Sequence, residues 1–398
     1  MFKFDFQVDE DEEIQIPTTQ AAAGPSTIIP AVDTTDKQCH HLTLDELIKS
    51  LPEHISYSPL HHPSLQSPLL RRDLFDARFQ LISSTEKARD DKEEEDVTRG
   101  EGEEYVDAKT DLIPGLYEGG LKTWEGGVDL VEVLAGVGEE KDVAEWVRGG
   151  RVLEVGCGTA LPTAYLLRSI LSLPPSTTHR TVLHLQDYNS LVLSLVTLPN
   201  LILASLPYLP SDLLHSPEDG EELIESVVPD LESPGNLTLT SELVQRFQAL
   251  LDERGVDLKF TYGHWEGLSS ELSQEGEVYG LVLTAETIYA DESTPALISV
   301  LKAAVKSKAS KEEEIVVREE VKLEDSLGNL SVKDEWAKVP LRERTEGGFA
   351  LVAAKILYFG VGGGLQAFLD RIEGDGAHWS TVKEWIKGVG RKVVQVGW

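Results

Sequence analysis

From residue 151 onward the chain alternates short apolar runs with amphipathic stretches. Arg151-Val152-Leu153-Glu154-Val155 has the pattern of a buried strand and runs into a Gly-rich turn, then a helix over about 161–171. Thr181 to Gln186, ending in Asp187, predicts a second strand, and Leu258–Tyr262, Tyr279–Thr284, Gly348–Ala354 and Lys392–Val396 predict four more. Helical patterns lie between them at Ser190–Leu198, Ser241–Glu253, Pro295–Lys306 and Leu365–Arg371. Strand–helix alternation of this kind predicts an α/β fold with a parallel, doubly wound sheet. Two polar insertions, 207–237 and 306–344, interrupt it.

The first 109 residues have a different texture. Residues 1–41 form a Pro-rich, acidic tail in which only Phe2, Phe4 and Phe6 alternate, a pattern that suits a short docked strand. Residues 42–109 form an extension. Within it Thr43 is placed to N-cap a helix running to Ile48, Leu69–Ile82 has near-helical apolar spacing, and 84–108 has the composition of a disordered linker. The domain proper is expected over 110–398.

Charge narrows the function classes. The 398 residues carry 36 basic and 69 acidic side chains, a formal net charge of −33. Such a surface is ill suited to gripping phosphates through its bulk, so no direct nucleic-acid binding is expected, whereas a basic protein would be attracted. The acids cluster at Asp9–Glu13, Asp90–Glu104 and Leu209–Gly235, and each cluster alone also reads as a solvated segment. Two cysteines, Cys39 and Cys157, make neither a disulfide framework nor a four-ligand zinc site. His40, His41, His61 and His62 sit in Pro-rich sequence with no ligand framework around them and are read as surface residues, so no metal is expected. With no apolar run of about 18 residues and no apolar leader, the expected locations are cytoplasm and nucleus.

The candidate chemistry gathers at strand ends. Gly156-Cys157-Gly158 follows the first strand, where glycine lets backbone approach a ligand closely. Leu161 stands where a dinucleotide fingerprint needs its third Gly, and no Lys-Ser/Thr follows for a P-loop. Glu154, two residues before the first Gly, suits a cationic, methionine-containing ligand, although a tight strand-to-helix turn would account for the glycines equally well. Asp187 ends the second strand, where a carboxylate can hold ribose hydroxyls or N-cap the next helix. Trp265 follows the third strand and could stack on an adenine or pack in the core. Thr284-Ala285-Glu286-Thr287-Ile288-Tyr289 follows the fourth, and a Glu there needs a partner or a task.

These residues resemble the histidine protein methyltransferase family. The likeness rests on Asp111-Leu112-Ile113-Pro114-Gly115-Leu116-Tyr117-Glu118-Gly119-Gly120-Leu121-Lys122-Thr123-Trp124-Glu125, Gly156-Cys157-Gly158, Gln186-Asp187-Tyr188-Asn189, Thr284 to Tyr289, and Lys355 to Gly364. The Phe-x-Phe-x-Phe start and Arg71 to Phe79 add to it, while Ala160 replaces a Gly common in methyltransferases. The resemblance implies a seven-strand Rossmann-like class I methyltransferase sheet, S-adenosyl-L-methionine as cofactor, and a histidine of the basic ribosomal protein uL3 as acceptor, at its tele nitrogen. It also implies that Trp124 covers the cofactor, and with the strand-end reading it makes Trp124, Glu154, Gly156, Cys157, Gly158, Asp187, Trp265 and Thr284 the candidate cofactor residues. A monomer is expected.

Neutral imidazole needs no strong base, because its reference pKa is about 6.5. It does need one ring N–H accepted, so that the other nitrogen presents its lone pair. Glu286, Asn189 and Tyr289 are the candidates for that catalytic role. Two other readings stay open on sequence alone: a lysine methyltransferase of the same fold, and an acidic chaperone for a ribosomal protein.

Overall fold

The computed structural model describes residues 37–81, 120–176, 180–214, 230–306, 348–357, 364–386 and 388–398. The Phe2-Phe4-Phe6 pattern, the 84–108 segment, the 111–119 motif, most of 306–344 and the glycines at 360–363 lie outside them.

Eight strands form the main sheet: β1 (Cys39–Leu42), β4 (Arg151–Val155), β5 (Thr181–Asp187), β7 (Val256–Gly263), β8 (Leu281–Ala285), β9 (Phe349–Lys355), β10 (His378–Trp385) and β11 (Arg391–Gly397). Their order is β1-β7-β5-β4-β8-β9-β11-β10. The five from β7 to β9 are parallel, while β11, β10 and β1 run antiparallel to their neighbours. Without β1 this is the seven-strand class I methyltransferase arrangement. β1 lies inside residues expected to be tail. Its addition to the edge shows that the extension joins the sheet from Cys39.

The period-two alternation of the strands sorts their side chains between two layers. Val152, Leu183, Leu185, Leu283 and Leu351 pack with α3 (Glu125–Ala135), α4 (Glu140–Val147), α5 (Leu161–Ser172), α6 (Ser190–Tyr208) and α7 (Ser241–Arg254). Leu153, Val155, Val282, Val352 and Val394 pack with α8 (Trp265–Glu275), α9 (Thr294–Val305) and α10 (Leu365–Gly374). α6 is long and apolar enough to span a membrane, a length that the sequence reading did not anticipate. Its most apolar stretch is 89% buried inside the fold, as a core helix is.

A second sheet, β3-β2-β6, joins β2 (His54–Leu60) and β3 (Leu69–Arg72) of the extension to β6 (Gly235–Thr238) at the end of the first insertion. The extension is thus stitched to the body. α1 (Leu44–Ile48) has the expected cap: the Glu46 N–H donates to Thr43 Oγ1 and the Thr43 N–H to Glu46 Oε2. The helix expected over Leu69–Ile82 is corrected. Leu69–Arg72 pairs with β2 as a strand, and α2 (residues 74–81) begins only after Asp73.

Candidate functional site

Register fixes the site. Val155 pairs with Gln186 on one side and Thr284 on the other, so the carboxyl ends of β4, β5 and β8 bring Gly156, Asp187 and Glu286 to one edge. The chain turns to opposite sides of β4 here, at the switch point where open α/β sheets bind ligands. Gly156 and Gly158 take left-handed conformations (φ 62° and 51°), and Ala160 accepts φ 50° at the start of α5. A Cβ on Gly156 would stand 2.7 Å from Thr287 Cγ2, and one on Gly158 3.1 Å from the Gly120 carbonyl oxygen. The segment before α3 therefore crosses directly over the turn.

Asp187 is tied to that turn. The Gly158 N–H donates to its Oδ2 at 2.9 Å and the Asn189 N–H to its Oδ1 at 3.2 Å. Burial raises its pKa to about 6, against the pull of these N–H donors. Asp187 is not the helix cap that it could have been: Asn189 is, accepting the Leu191 N–H at 2.9 Å. Glu154 lies beneath the turn, where its Oε2 accepts the Thr163 N–H at 3.0 Å and also meets the Thr163 hydroxyl. Burial pushes Glu154 up to about 8, and it pushes the Cys157 thiol well above its usual range. Glu154 thus anchors the first turn of α5.

Several residues of the site were not anticipated. α6 contains one π-helical turn, Leu193–Thr197, a feature that often marks functional sites. From the last residue of this turn Thr197 Oγ1 donates to the Gly158 carbonyl at 2.7 Å, and just beyond it Asn200 Nδ2 donates to the Thr159 carbonyl at 2.7 Å. Pro199 has no N–H to offer the Leu195 carbonyl, and Arg72 Nη1 supplies a donor instead at 2.7 Å. The Arg72 N–H donates to Asn200 Oδ1 at 2.7 Å, and Arg72 Nε pairs with Asp76. The only sequence signal was a proline inside an otherwise apolar helix.

The adjoining wall is aromatic. The buried Gln186 carboxamide oxygen accepts from Trp265 Nε1 at 3.0 Å and from the Gly156 N–H at 3.2 Å, while Gln186 Nε2 donates to the Gly263 carbonyl. Trp265 is thereby held beside Gly156, partly buried and packed against the edge of the core. Tyr188 and His264 stand edge to face with centroids 4.9 Å apart, and the Tyr188 hydroxyl is 3.0 Å from His264 Nε2. Trp124 N-caps α3, with the Lys122 and Lys355 ammonium groups 5.0 and 5.2 Å from its ring centroid.

Glu286 follows β8 with φ 57°, an uncommon conformation for a residue with a Cβ. Its N–H donates to the Ala353 carbonyl at 2.9 Å, and its side chain lies over Gly126, where a Cβ would come within 3.1 Å of Glu286 Cγ. Arg391, which makes paired bonds to the buried Asp129, lies close enough to feel the Glu286 charge. The Thr284 hydroxyl is spent inside the fold, donating to the Val155 carbonyl and meeting Thr287 Oγ1 at 2.7 Å. Tyr289 is half-buried after Ile288 in the same loop.

Comparison with known proteins places this arrangement among methyltransferases. Histidine protein methyltransferase 1 of Saccharomyces cerevisiae is 30% identical over 337 residues, spanning 82% of this chain and 75% of the yeast protein. Its Schizosaccharomyces pombe counterpart is 28% identical over 360 residues, 88% of this chain and 83% of that one. A Bos taurus homolog is 29% identical over 267 residues, 66% of this chain and 51% of its own. A solved O-methyltransferase family protein from Burkholderia thailandensis is 10% identical, with TM-score 0.27, over 68% of this chain and 58% of that one. No protein-family model matches the chain.

Proposed function

The chain belongs to the histidine protein methyltransferase family, and from that premise we propose that it moves a methyl group from S-adenosyl-L-methionine to a histidine of a basic ribosomal protein, uL3. One observation supports the cofactor above all. Two left-handed glycines face a strand-end carboxylate, and that carboxylate is hydrogen-bonded to the N–H of the second of them. These residues fit the cofactor. The glycine cradle has no room for a Cβ, Asp187 is a buried acceptor for ribose hydroxyls, and Trp265 offers a ring face beside Gly156. Trp124 and the 120–124 segment would cover it. Cys157 lines the turn, and Glu154 and Thr284 hold the turn from beneath.

When bound, the cofactor supplies an electrophilic methyl on a sulfonium. The residues around it must exclude water and align the acceptor nitrogen, an effect worth about 7–11 kcal/mol. Glu286, at the end of β8, would accept the N–H of the acceptor imidazole. That would fix the tautomer, orient the other nitrogen toward the methyl donor and stabilise positive charge on the ring. The strained backbone of Glu286 supports this role, because such conformations persist where function requires them. Asn189 and Tyr289 would act as supporting groups, with Asn189 held in place by its cap on α6. The net charge of −33 supports a basic acceptor.

The test is incubation with radiolabelled cofactor and purified uL3. Label should enter uL3 and be lost when its target histidine is replaced by alanine. Label that persists in the alanine variant would refute histidine as the acceptor.

A further inference from the structure

β1 and α8 meet at a second cluster of chemically competent side chains. Strand alternation puts Cys39 and His41 on one side of β1, and α8 presents Glu271 to both. Cys39 Sγ donates to Glu271 Oε2 at 3.2 Å, His41 Nε2 lies 2.7 Å from the same oxygen, and one ligand atom from each residue lies within 4.8 Å of the others. We infer that Cys39, His41 and Glu271 form a binding site for a thiophilic divalent cation. Zinc is the ion whose preferences match thiolate, imidazole and carboxylate together.

The cluster has the spacing and the support of a metal site. Tetrahedral zinc with bonds of about 2.0–2.3 Å sets its donors about 3.3–3.7 Å apart, so the three side chains need only small adjustments. The other nitrogen of His41, Nδ1, is 3.1 Å from Thr261 Oγ1. That hydroxyl also meets His184 Nε2 at 2.7 Å, and His184 Nδ1 meets the Tyr279 hydroxyl at 2.7 Å. A buried polar chain therefore orients the His41 ring and leaves Nε2 toward Glu271, as second-shell partners do for ligating histidines. Lys259 Nζ, 3.3 Å from Glu271 Oε1, holds the carboxylate by its other oxygen. His41 is partly exposed, which leaves a fourth position open to water.

Backbone geometry independently brings the ligands together. A Cβ on Gly267 would lie 2.3 Å from the Cys39 nitrogen, and one on Gly263 2.6 Å from the Gln38 carbonyl oxygen. Glycine at both positions lets β1 lie directly against the start of α8. The third ligand is 230 residues from His41, so no local spacing reveals the set. Bound zinc would pin the edge strand to the helix whose first residue is Trp265.

Cobalt titration of the chelator-treated full-length chain tests the site. One equivalent of Co²⁺ should produce a near-ultraviolet sulfur-to-cobalt charge-transfer band, and one equivalent of Zn²⁺ should abolish it. Cys39→Ser should eliminate the band while retaining the circular dichroism of the folded chain. Glu271→Gln should keep the band and weaken Co²⁺ binding at least tenfold. Absence of a band in the wild type, or its survival in Cys39→Ser, would overturn the inference and leave a hydrogen-bonded cluster.

Discussion

Arg72 donates at 2.7 Å to the carbonyl oxygen of Leu195, the oxygen that Pro199 cannot serve. One guanidinium from the extension thus repairs the core helix that positions Thr197 and Asn200 against the glycine turn after β4. The extension is therefore part of the site's support.

Replacing Arg72 should uncouple that support. Arg72→Met leaves the Leu195 carbonyl without its donor and Asp76 without its partner, and truncating one side of a buried ion pair costs about 3–5 kcal/mol. Urea unfolding should show a loss of that order. Calorimetry on the folded fraction should show weaker S-adenosylmethionine binding, because Thr197 and Asn200 shift with the helix.

This relationship also explains what the sequence could and could not reveal. The parallel strands were legible because strands buried on both faces read as continuous apolar runs. The helix from Ser190 was expected to stop at Leu198, where Pro199 removes a hydrogen bond. It continues to Tyr208, with Arg72 supplying the missing donor to Leu195 from 123 positions away. Leu69 and Leu70 fit helical spacing and still form a strand, since pairing with β2 decides their state. Gly156, Gly158, Asp187 and Glu286 were legible as strand-end residues. Gln186, Thr197 and Asn200 act through hydrogen bonds that only the tertiary fold creates.

The glycine cradle gives a second prediction. Gly158→Ala forces a Cβ to 3.1 Å from the Gly120 carbonyl at φ 51°. Affinity for the cofactor should fall at least about tenfold, equivalent to about 1.4 kcal/mol, as measured by calorimetry. Unchanged affinity would remove the turn from the cofactor site.

Stability of the cofactor-free chain should depend on pH in an unusual direction. Asp187 and Glu154 hold their protons more tightly folded than unfolded, because both are buried. Their contribution to stability is complete below the unfolded carboxylate range of about pH 4. It is lost as pH rises through about 6 for Asp187 and about 8 for Glu154. Thermal melts should show these losses as a Tm that falls between about pH 4 and about pH 8, and Glu154→Gln should flatten the upper part of that fall.

Glu286 should trade stability for activity. Glu286→Gly relieves the left-handed backbone and should raise stability by about 1 kcal/mol. Glu286→Gln keeps the shape and removes the charge, and should lower kcat about 10²-fold while leaving the KM for the cofactor within about twofold. A loss confined to cofactor KM would instead assign Glu286 to binding.

The proposed methylation of a uL3 histidine can be read by fragment mass spectrometry of uL3 from cells lacking the protein. If the proposal holds, a histidine-containing peptide is one methyl group lighter there than in normal cells, and is restored by the wild-type chain and not by Gly158→Ala. A uL3 histidine that stays methylated in those cells would contradict it.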